Sequence, residues 1–439
     1  MPAAPGNGGR TGAAMTKLAR TATVTGIGVV SPAGRGAAAV FEAQCAGRSA
    51  ITSPGPDHDA YGWLESAGIA APIDPREVLA PPLDNCTDRY VLLALAAAED
   101  AITDAALRPG DTVDPERVGL IVSSGGGALK TYERQAESRR ERGRAGVSPY
   151  LAAGMLPNNA TSRIAIKYGL RGYSAVVATA CAAGGQSIAE GLRLIRDGLA
   201  DVVVCGGADA PLHPTIAATF TNAKALARGW AEPGQSSRPF DARRNGFVLG
   251  EGACVVVLER TEHADARGAY GYADLLGWGV STDGYHIATP RPDGSSAAAC
   301  MRRAIADAGL TPADLGYINA HGTGTAAGDN AEALAIREVF GSATPPPVSA
   351  TKSITGHTLG ASGAVEAAVT ALALGSDRLP PTANLETVGA GCELDHVTGS
   401  PRTAAIEAAL SNSFGFGGHN TSLVIGAPST RRRRQPSNQ

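Results

Sequence analysis

Hydrophobic positions along the chain fall into two recurring patterns. Short runs of β-branched and small apolar residues read as buried strands, and longer stretches with apolar residues every three or four positions read as helices. TATVTGIGVVSP from Thr21, VGLIVSS from Val118, ADVVVCGGAD from Ala200 and GACVVVLE from Gly252 are of the first kind. Ala37 to Ala46, Arg89 to Ala106 and Lys130 to Arg144 are of the second, the last so charged that it reads as a solvated face able to meet an acidic partner. Ser53 to Asn85, rich in proline, aspartate and glycine, reads as a surface excursion. Met1 to Arg20 has no period and reads as a disordered arm, within which Met15 is a second candidate start; residues 428–439, with the basic run Arg431 to Arg434, read as a disordered tail.

One stretch organises the rest. In YSAVVATACAAGGQSIAEGLRLIRDG, Ala175 to Ala178 predicts a short buried strand, and Ile188, Leu192 and Ile195 fall on one helical face. Arg193 and Arg196 in the last turn and Gly198 beyond it mark the helix stop. Cys181 thus stands where a strand gives way to a helix. A thiol at a helix start feels the positive end of the macrodipole, which favours thiolate and makes a nucleophile. The competing reading is a small, buried, inert cysteine.

Strand–helix–strand order continues in the second half, where LGYINAHGTGT, PPPVSATKSITGH and LSNSFGFGGHNTSLVIG each set a strand against a glycine-rich or polar turn. Two βαβ-rich halves, 21–275 and 276–427, predict parallel or mixed sheets covered by helices on both faces.

Composition narrows the chemistry. A net charge of −3 with 18% charged residues gives no general attraction to nucleic acid or membranes, leaving a small-molecule or protein-bound substrate. The seven cysteines show no paired spacing for a disulfide framework or zinc, so a reducing compartment is expected. No apolar run is read as a membrane span and the amino terminus lacks a secretion signal's apolar core, so the expected location is the cytoplasm. Gly125, Gly126 and Gly127 follow a strand, but neither phosphate-loop pattern is present.

Two histidines stand directly after predicted strands: His321 in NAHGTGT and His357 in TKSITGH. Strand-end loops are where α/β proteins place chemistry. His58, His263 and His396 read as hydrogen-bonded structural residues. One cysteine with one histidine would suit a thiol hydrolase. Two histidines donating Nε2–H to one carbonyl oxygen would instead stabilise the enolate left when a β-keto acid loses carbon dioxide.

The motifs VVATACAAG, SSRPFDARRNGFVLGEGA, NAHGTGTAAGDNAEA, SATKSITGHTLGASGAVEAA and SNSFGFGGHN, in this order, resemble those of the β-ketoacyl-acyl carrier protein synthases of the thiolase superfamily. The resemblance runs from Thr21 to about Ala427, nearest the fatty-acid-elongating class and the ketosynthases of dissociated polyketide systems. It implies an α/β fold of five layers, αβαβα, made of two similar halves, and an acyltransferase without metal or organic cofactor. Its partners would be acyl and malonyl forms of an acyl carrier protein and a second subunit, identical or related, paired near Val176.

By position, the resemblance makes Cys181 the acyl-accepting nucleophile and His321 and His357 the pair that holds the malonyl thioester carbonyl. Backbone N–H groups of Cys181 and Phe416 would form the oxyanion hole, with Phe416 also gating the pocket. Thr323 and Thr325 would face the carrier's pantetheine arm, and Phe220 and Phe414 would line the substrate site. Lys352 and Glu332 would form a buried pair supporting the histidines. Asp329 and Glu332 also fit a capping box, and both roles can hold. Gly126, where elongating enzymes often carry a bulky aliphatic residue, and Leu151, where an aromatic is frequent, would leave room for a longer acyl chain. Asn245 in RRNGF follows polyketide usage, and His419 departs from the family's usual threonine without explanation. The reading is polyketide chain extension, with fatty-acid elongation the alternative. A non-catalytic chain-length-factor-like subunit would lack the cysteine, and a thiol hydrolase would release free acid.

Overall fold

The computed structural model describes residues 21–79 and 86–429. The predicted arm 1–20 and the tail from 430 onward lie outside them. Ser429, inside the predicted tail, is tied down by a 2.8 Å bond from its N–H to Asp274.

Five strands follow one another across the sheet in the first half: β1 (Ala22–Ser31), β2 (Val118–Ser123), β3 (Ser174–Ala175), β4 (Val202–Asp209) and β5 (Gly252–Arg260), with the two-residue strand Gly34–Arg35 paired to β1 off this path. Five more continue it in the second: β6 (Ala273–Thr282), β7 (Tyr317–Asn319), β8 (Val348–Ser349), β9 (Ala408–Gly415) and β10 (His419–Gly426), while Arg378–Leu379 and Arg402–Thr403 form a separate two-stranded sheet. The sheet order is β3-β2-β4-β5-β1 followed by β6-β10-β9-β7-β8. Read inward from each outer edge, both halves run third, second, fourth, fifth and first strand. In each, the second strand pairs parallel with the third and fourth, and the remaining pairings are antiparallel. The halves join where β1 meets β6 over three residue pairs, Val24↔Ala273 to Ala22↔Leu275. Residue 275 therefore lies inside a strand.

Helices complete the layers: α1 (Ala37–Cys45), α2 (Arg89–Asp104), α3 (Leu129–Arg142), α4 (Ala183–Arg196), α5 (Pro214–Asn222), α6 (Ser295–Asp307), α7 (Ala326–Phe340) and α8 (Ser362–Ser376). α4 and α8 pack together between the two halves of the sheet, α2 covers the outer face of the first half, and α6 with α7 that of the second. This is the expected αβαβα layering.

Because side chains alternate across a strand, each central strand feeds two cores. Val202 and Val204 face α2, whereas Val203 and Cys205 face the middle helices; Val255 and Val257 divide from Val256 and Leu258 in the same way. Close helix approach requires glycine at matching places in both halves. A Cβ on Gly28 of β1 would lie 1.9 Å from the Ala97 carbonyl oxygen of α2, and one on Gly279 of β6 would lie 2.3 Å from that of Cys300 in α6.

Two expectations are corrected. The 53–85 excursion is not wholly superficial: Ala60, Ala67 and Ala70 are buried, and Ala60, Leu64 and Ala67 pack in the cluster that holds Cys181. Leu359–Ser376 is long and apolar enough to resemble a membrane span, contrary to the sequence reading, but 83% of it is buried inside the protein, as a middle-layer helix must be.

Candidate active site

Cys181 sits at the turn between β3 and α4, within the short 3-10 segment Ala180–Ala182. The strand before it is shorter than predicted, ending at Ala175, because the N–H of Val177 leaves the ladder for Ser123 Oγ at 2.8 Å. Ala180 is held at φ +49°, a strained value for a residue with a side chain, and Cys181 follows it, buried beneath the 415–416 turn. A Cβ on Gly415 would lie 2.6 Å from the Thr179 carbonyl oxygen and 3.2 Å from the N of Cys181, so glycine alone permits this approach.

The electrostatics differ from the helix-dipole expectation. The N–H groups of Phe416 and of Cys181 itself, and the charge of Lys352, favour the thiolate, yet burial dominates and pushes the thiol up to about 11. At rest the group is a neutral thiol.

His321 follows β7 and His357 follows β8 by the short helix Lys352–Thr355. Their rings are 5.4 Å apart and nearly perpendicular. Burial, with the Lys352 charge second, drives both well below the usual histidine range, so both are neutral. Lys352 Nζ lies 3.2 Å from His321 Nδ1 and donates to the His321 carbonyl oxygen at 2.6 Å. An ammonium only donates, so Nδ1 is the acceptor and the His321 proton sits on Nε2. His357 Nδ1 lies 2.9 Å from Ser362 Oγ, and its backbone N–H is fixed to Val248 O at 2.7 Å.

A cavity of about 460 Å³ unites these groups. Cys181, His321, His357, Glu332, Phe220, Phe414, Phe416, Thr323 and Thr325 all line it, as does Asn245. Aromatic contacts run along its wall: Phe416 to Phe220 at 6.0 Å, Phe220 to Phe247 at 5.1 Å, Phe247 to His357 at 5.5 Å, and His321 to Phe414 at 5.7 Å. Asn245 accepts from Trp230 Nε1 at 3.1 Å and donates to the Arg228 carbonyl at 2.9 Å.

Several sequence-based assignments change. Lys352 pairs with Glu366 of α8, not with Glu332. Glu332 instead accepts the backbone N–H groups of His321 and Gly322, each at 2.8 Å, and Asn412 Nδ2 at 3.2 Å. The capping box is absent: Thr325 caps α7 by accepting from Gly328 N–H, and Asp329 holds the loop through Phe240, Thr323 and Gly324 N–H. Burial lifts Asp329 to about 7.

Gly126 and Leu151 are not among the residues lining the cavity. Gly126 is exposed, with its N–H turned back onto Asp209 at 3.0 Å, because the loop after β2 folds over that carboxylate. His419 extends into β10 with its ring against Gly417, and nothing here explains its choice. His58, His263 and His396 each have hydrogen-bond partners. The sequence reading missed Glu366, Asn412 and Asp209, and took Asp329 only as part of a capping box. A lone carboxylate in SGAVEAAVTALALGS, an otherwise apolar and small-residue helix, was the available signal for Glu366.

The family models describe the same two halves: Beta-ketoacyl synthase, N-terminal domain, matches residues 19–264, and Beta-ketoacyl synthase, C-terminal domain, matches 272–386. The 3-oxoacyl-[acyl-carrier-protein] synthase 2 of Synechocystis sp. is 39% identical over 92% of this chain and 97% of its own length. The protein of that name from Coxiella burnetii is 39% identical over 92% and 98%. Among solved structures, the ishigamide ketosynthase/chain length factor matches with TM-score 0.86 and 33% identity over 93% of this chain and 99% of the other. A type II PKS acyl-carrier protein in complex with its ketosynthase, bound to the hexaketide, matches with TM-score 0.85 and 30% identity over 93% and 100%. With both models in order along these halves, and relatives matched over nearly their whole length, the chain belongs to the β-ketoacyl synthase family.

Proposed function

We propose that this protein is an acyl carrier protein-dependent 3-oxoacyl synthase, acting by decarboxylative Claisen condensation, and that it extends polyketide chains in a dissociated system. The observation that carries the chemistry is the pair of neutral, nearly perpendicular imidazoles sharing one cavity with a single buried thiol.

In the first step the carrier's acyl thioester is attacked by Cys181 Sγ. The thiol proton ends on the departing carrier thiolate, and the tetrahedral oxyanion is met by the N–H groups of Cys181 and Phe416. In the second, malonyl carrier protein enters past Phe416, its pantetheine arm along Thr323 and Thr325. Breaking the carbon–carboxylate bond releases carbon dioxide and leaves an enolate, whose oxygen accepts Nε2–H of His321 and His357. Fixed donors in a buried site stabilise such charge without reorganising. The enolate carbon then attacks the acyl carbonyl, Cys181 leaves as thiolate and takes a proton from solvent, and the 3-oxoacyl carrier protein departs. Phe220 and Phe414 shape the walls. Lys352, Glu366 and Glu332 fix His321.

The division into two halves belongs to this reading, with the boundary before β6 and not at 275, as does a cytoplasmic location. So does a dimer, homo- or heteromeric, paired through the open edge of β3. A stable, active monomer in sedimentation at micromolar concentration excludes the dimer.

The polyketide assignment rests on Asn245, which follows polyketide usage and lines the cavity; Gly126, outside the lining, lends it no support. Fatty-acid elongation is the alternative. Intact-mass spectrometry with a range of acyl carrier proteins tests both. Acyl adducts on Cys181 and 3-oxoacyl products are expected; free acid as sole product would mean hydrolysis, and loading by short saturated chains alone would mean elongation of fatty acids.

A further inference from the structure

Asp209 closes β4, and its carboxylate is buried. It accepts four hydrogen bonds from two other chain segments. Oδ1 takes Ser124 Oγ–H at 2.5 Å and Gly126 N–H at 3.0 Å; Oδ2 takes Gly125 N–H at 2.8 Å and Gly360 N–H at 2.7 Å. The reaction proposed above uses none of these groups.

What the carboxylate gathers lies on both flanks of the nucleophile. Gly125 is pressed against the residue before Cys181: a Cβ there would stand 3.1 Å from the Ala180 carbonyl oxygen. Gly360 is pressed against the helix after it: a Cβ on Gly184 would stand 2.5 Å from the Gly360 carbonyl oxygen. Gly360 also opens the turn into α8, three residues after His357. The residue before it, Leu359, has φ +49°, as does Ala180 before Cys181. Two strained turns, one in each half, thus meet around a single anion. Strain of this kind persists only where surrounding structure over-determines it.

We infer that Asp209 is a positioning residue for acyl transfer: its buried carboxylate clamps the 124–126 loop and the 359–361 turn onto the two flanks of Cys181, holding Sγ where the carrier's thioester arrives. The inference rests on the synthase reading for its acyl-transfer half, and on Cys181 geometry alone for the rest. The same anion opposes ionisation of Cys181 and the Lys352 charge favours it; the other titratable or charged groups of the cavity are His321, His357, Glu332, Asp283, Lys224 and Arg291.

Two readouts test the clamp. Asp209→Asn keeps the shape but replaces one carboxylate oxygen, which accepts two hydrogen bonds, by an NH2 group that only donates, and it removes the charge. The pH midpoint for iodoacetamide alkylation of Cys181 is expected to move down, while acyl loading from carrier protein slows by about 100-fold, the scale of a 1 Å misplacement. A thiol that becomes more acidic yet transfers more slowly is not what simple loss of stability produces. Asp209→Glu, which keeps the charge, is expected to return the midpoint to the wild-type pH and to recover most of the loading. The inference is overturned if Asp209→Asn lowers the melting temperature but leaves midpoint and loading rate unchanged, or changes nothing. Should Asp209→Asn not fold, Ser124→Ala, which removes one of four donors, decides: several-fold slower loading at wild-type melting temperature supports the clamp, and unchanged loading refutes it. Wild-type enzyme that takes no acyl group from any carrier would sink the synthase reading, whereas the alkylation midpoints would still judge Asp209.

Discussion

The ammonium of Lys352 stands 2.6 Å from the carbonyl oxygen of His321 and 3.2 Å from its Nδ1, so one cation fixes both the loop and the tautomer of that histidine. The cation is itself buried and balanced by Glu366, a residue from a different helix. The His321 Nε2 proton, proposed above to hold the enolate, therefore depends on a pair that is not among the residues lining the cavity.

Lys352→Met tests that dependence. It leaves Glu366 buried without a partner, a change that typically costs about 3 to 5 kcal/mol, and urea unfolding should register it. Carbon dioxide release from malonyl carrier protein should fall with it. In the double variant with Glu366→Gln, stability should largely return and decarboxylation should not. Wild-type decarboxylation in either protein would show that Lys352 does not set the tautomer.

Cys181→Ala should abolish covalent acyl loading, since alanine forms no thioester, while malonyl decarboxylation persists on the intact histidines. Intact-mass analysis reads the first and carbon dioxide release the second. In the wild-type enzyme, alkylation of Cys181 should still be accelerating above pH 9, because burial holds the thiol near 11. A plateau below pH 8 would mean that the helix start and Lys352 outweigh burial after all.

His321→Ala and His357→Ala should each spare acyl transfer to Cys181 and suppress carbon dioxide release. Loss of one donor to a developing oxyanion costs about 3 to 4 kcal/mol, or roughly 100- to 1000-fold in rate. If both variants decarboxylate at the wild-type rate, the imidazole pair is not the enolate site.

The same histidines shape stability against pH. Their folded values lie well below the ordinary 6.5, so between these limits the unfolded chain binds more protons. Their contribution is present above pH 6.5 and is lost as pH falls, by at most about 1.4 kcal/mol per unit for each. Asp329 acts oppositely: its folded value of about 7 exceeds the ordinary 3.8, so its contribution is present below 3.8 and is lost as pH rises towards 7. Replacing both histidines by asparagine should flatten the loss of unfolding free energy between pH 6.5 and 5, and Asp329→Asn should steepen it. Parallel curves for all three proteins would contradict the assigned directions.

Gly126→Ala should load and melt as wild type. The nearest atom to an added Cβ is Asp209 Oδ1 at 3.5 Å, an ordinary contact, and the backbone there is not left-handed. A changed acyl-chain profile in this variant would return Gly126 to the pocket.

The sequence by itself determined the layered fold, because strands buried on both faces must be apolar throughout while the helices between them carry a periodic stripe. It determined Cys181, His321 and His357 as candidates, because each stands in a turn of small residues that follows a strand-like run, a place local pattern can mark. It did not determine partners across the chain. Lys352 and Glu332 lie close to their histidines in sequence and invited pairing, but the register of β7 beside β8 and the packing of α8 behind them bring Glu366 to Lys352 and leave Glu332 to bind backbone N–H groups. Nor could composition show that the helix-start thiol is protonated: dipole and donors are local, whereas desolvation depends on everything packed around Sγ. The resemblance alone made Gly126 a wall of the acyl channel; only the fold shows the buried carboxylate of Asp209 beneath it and its glycine neighbour Gly125.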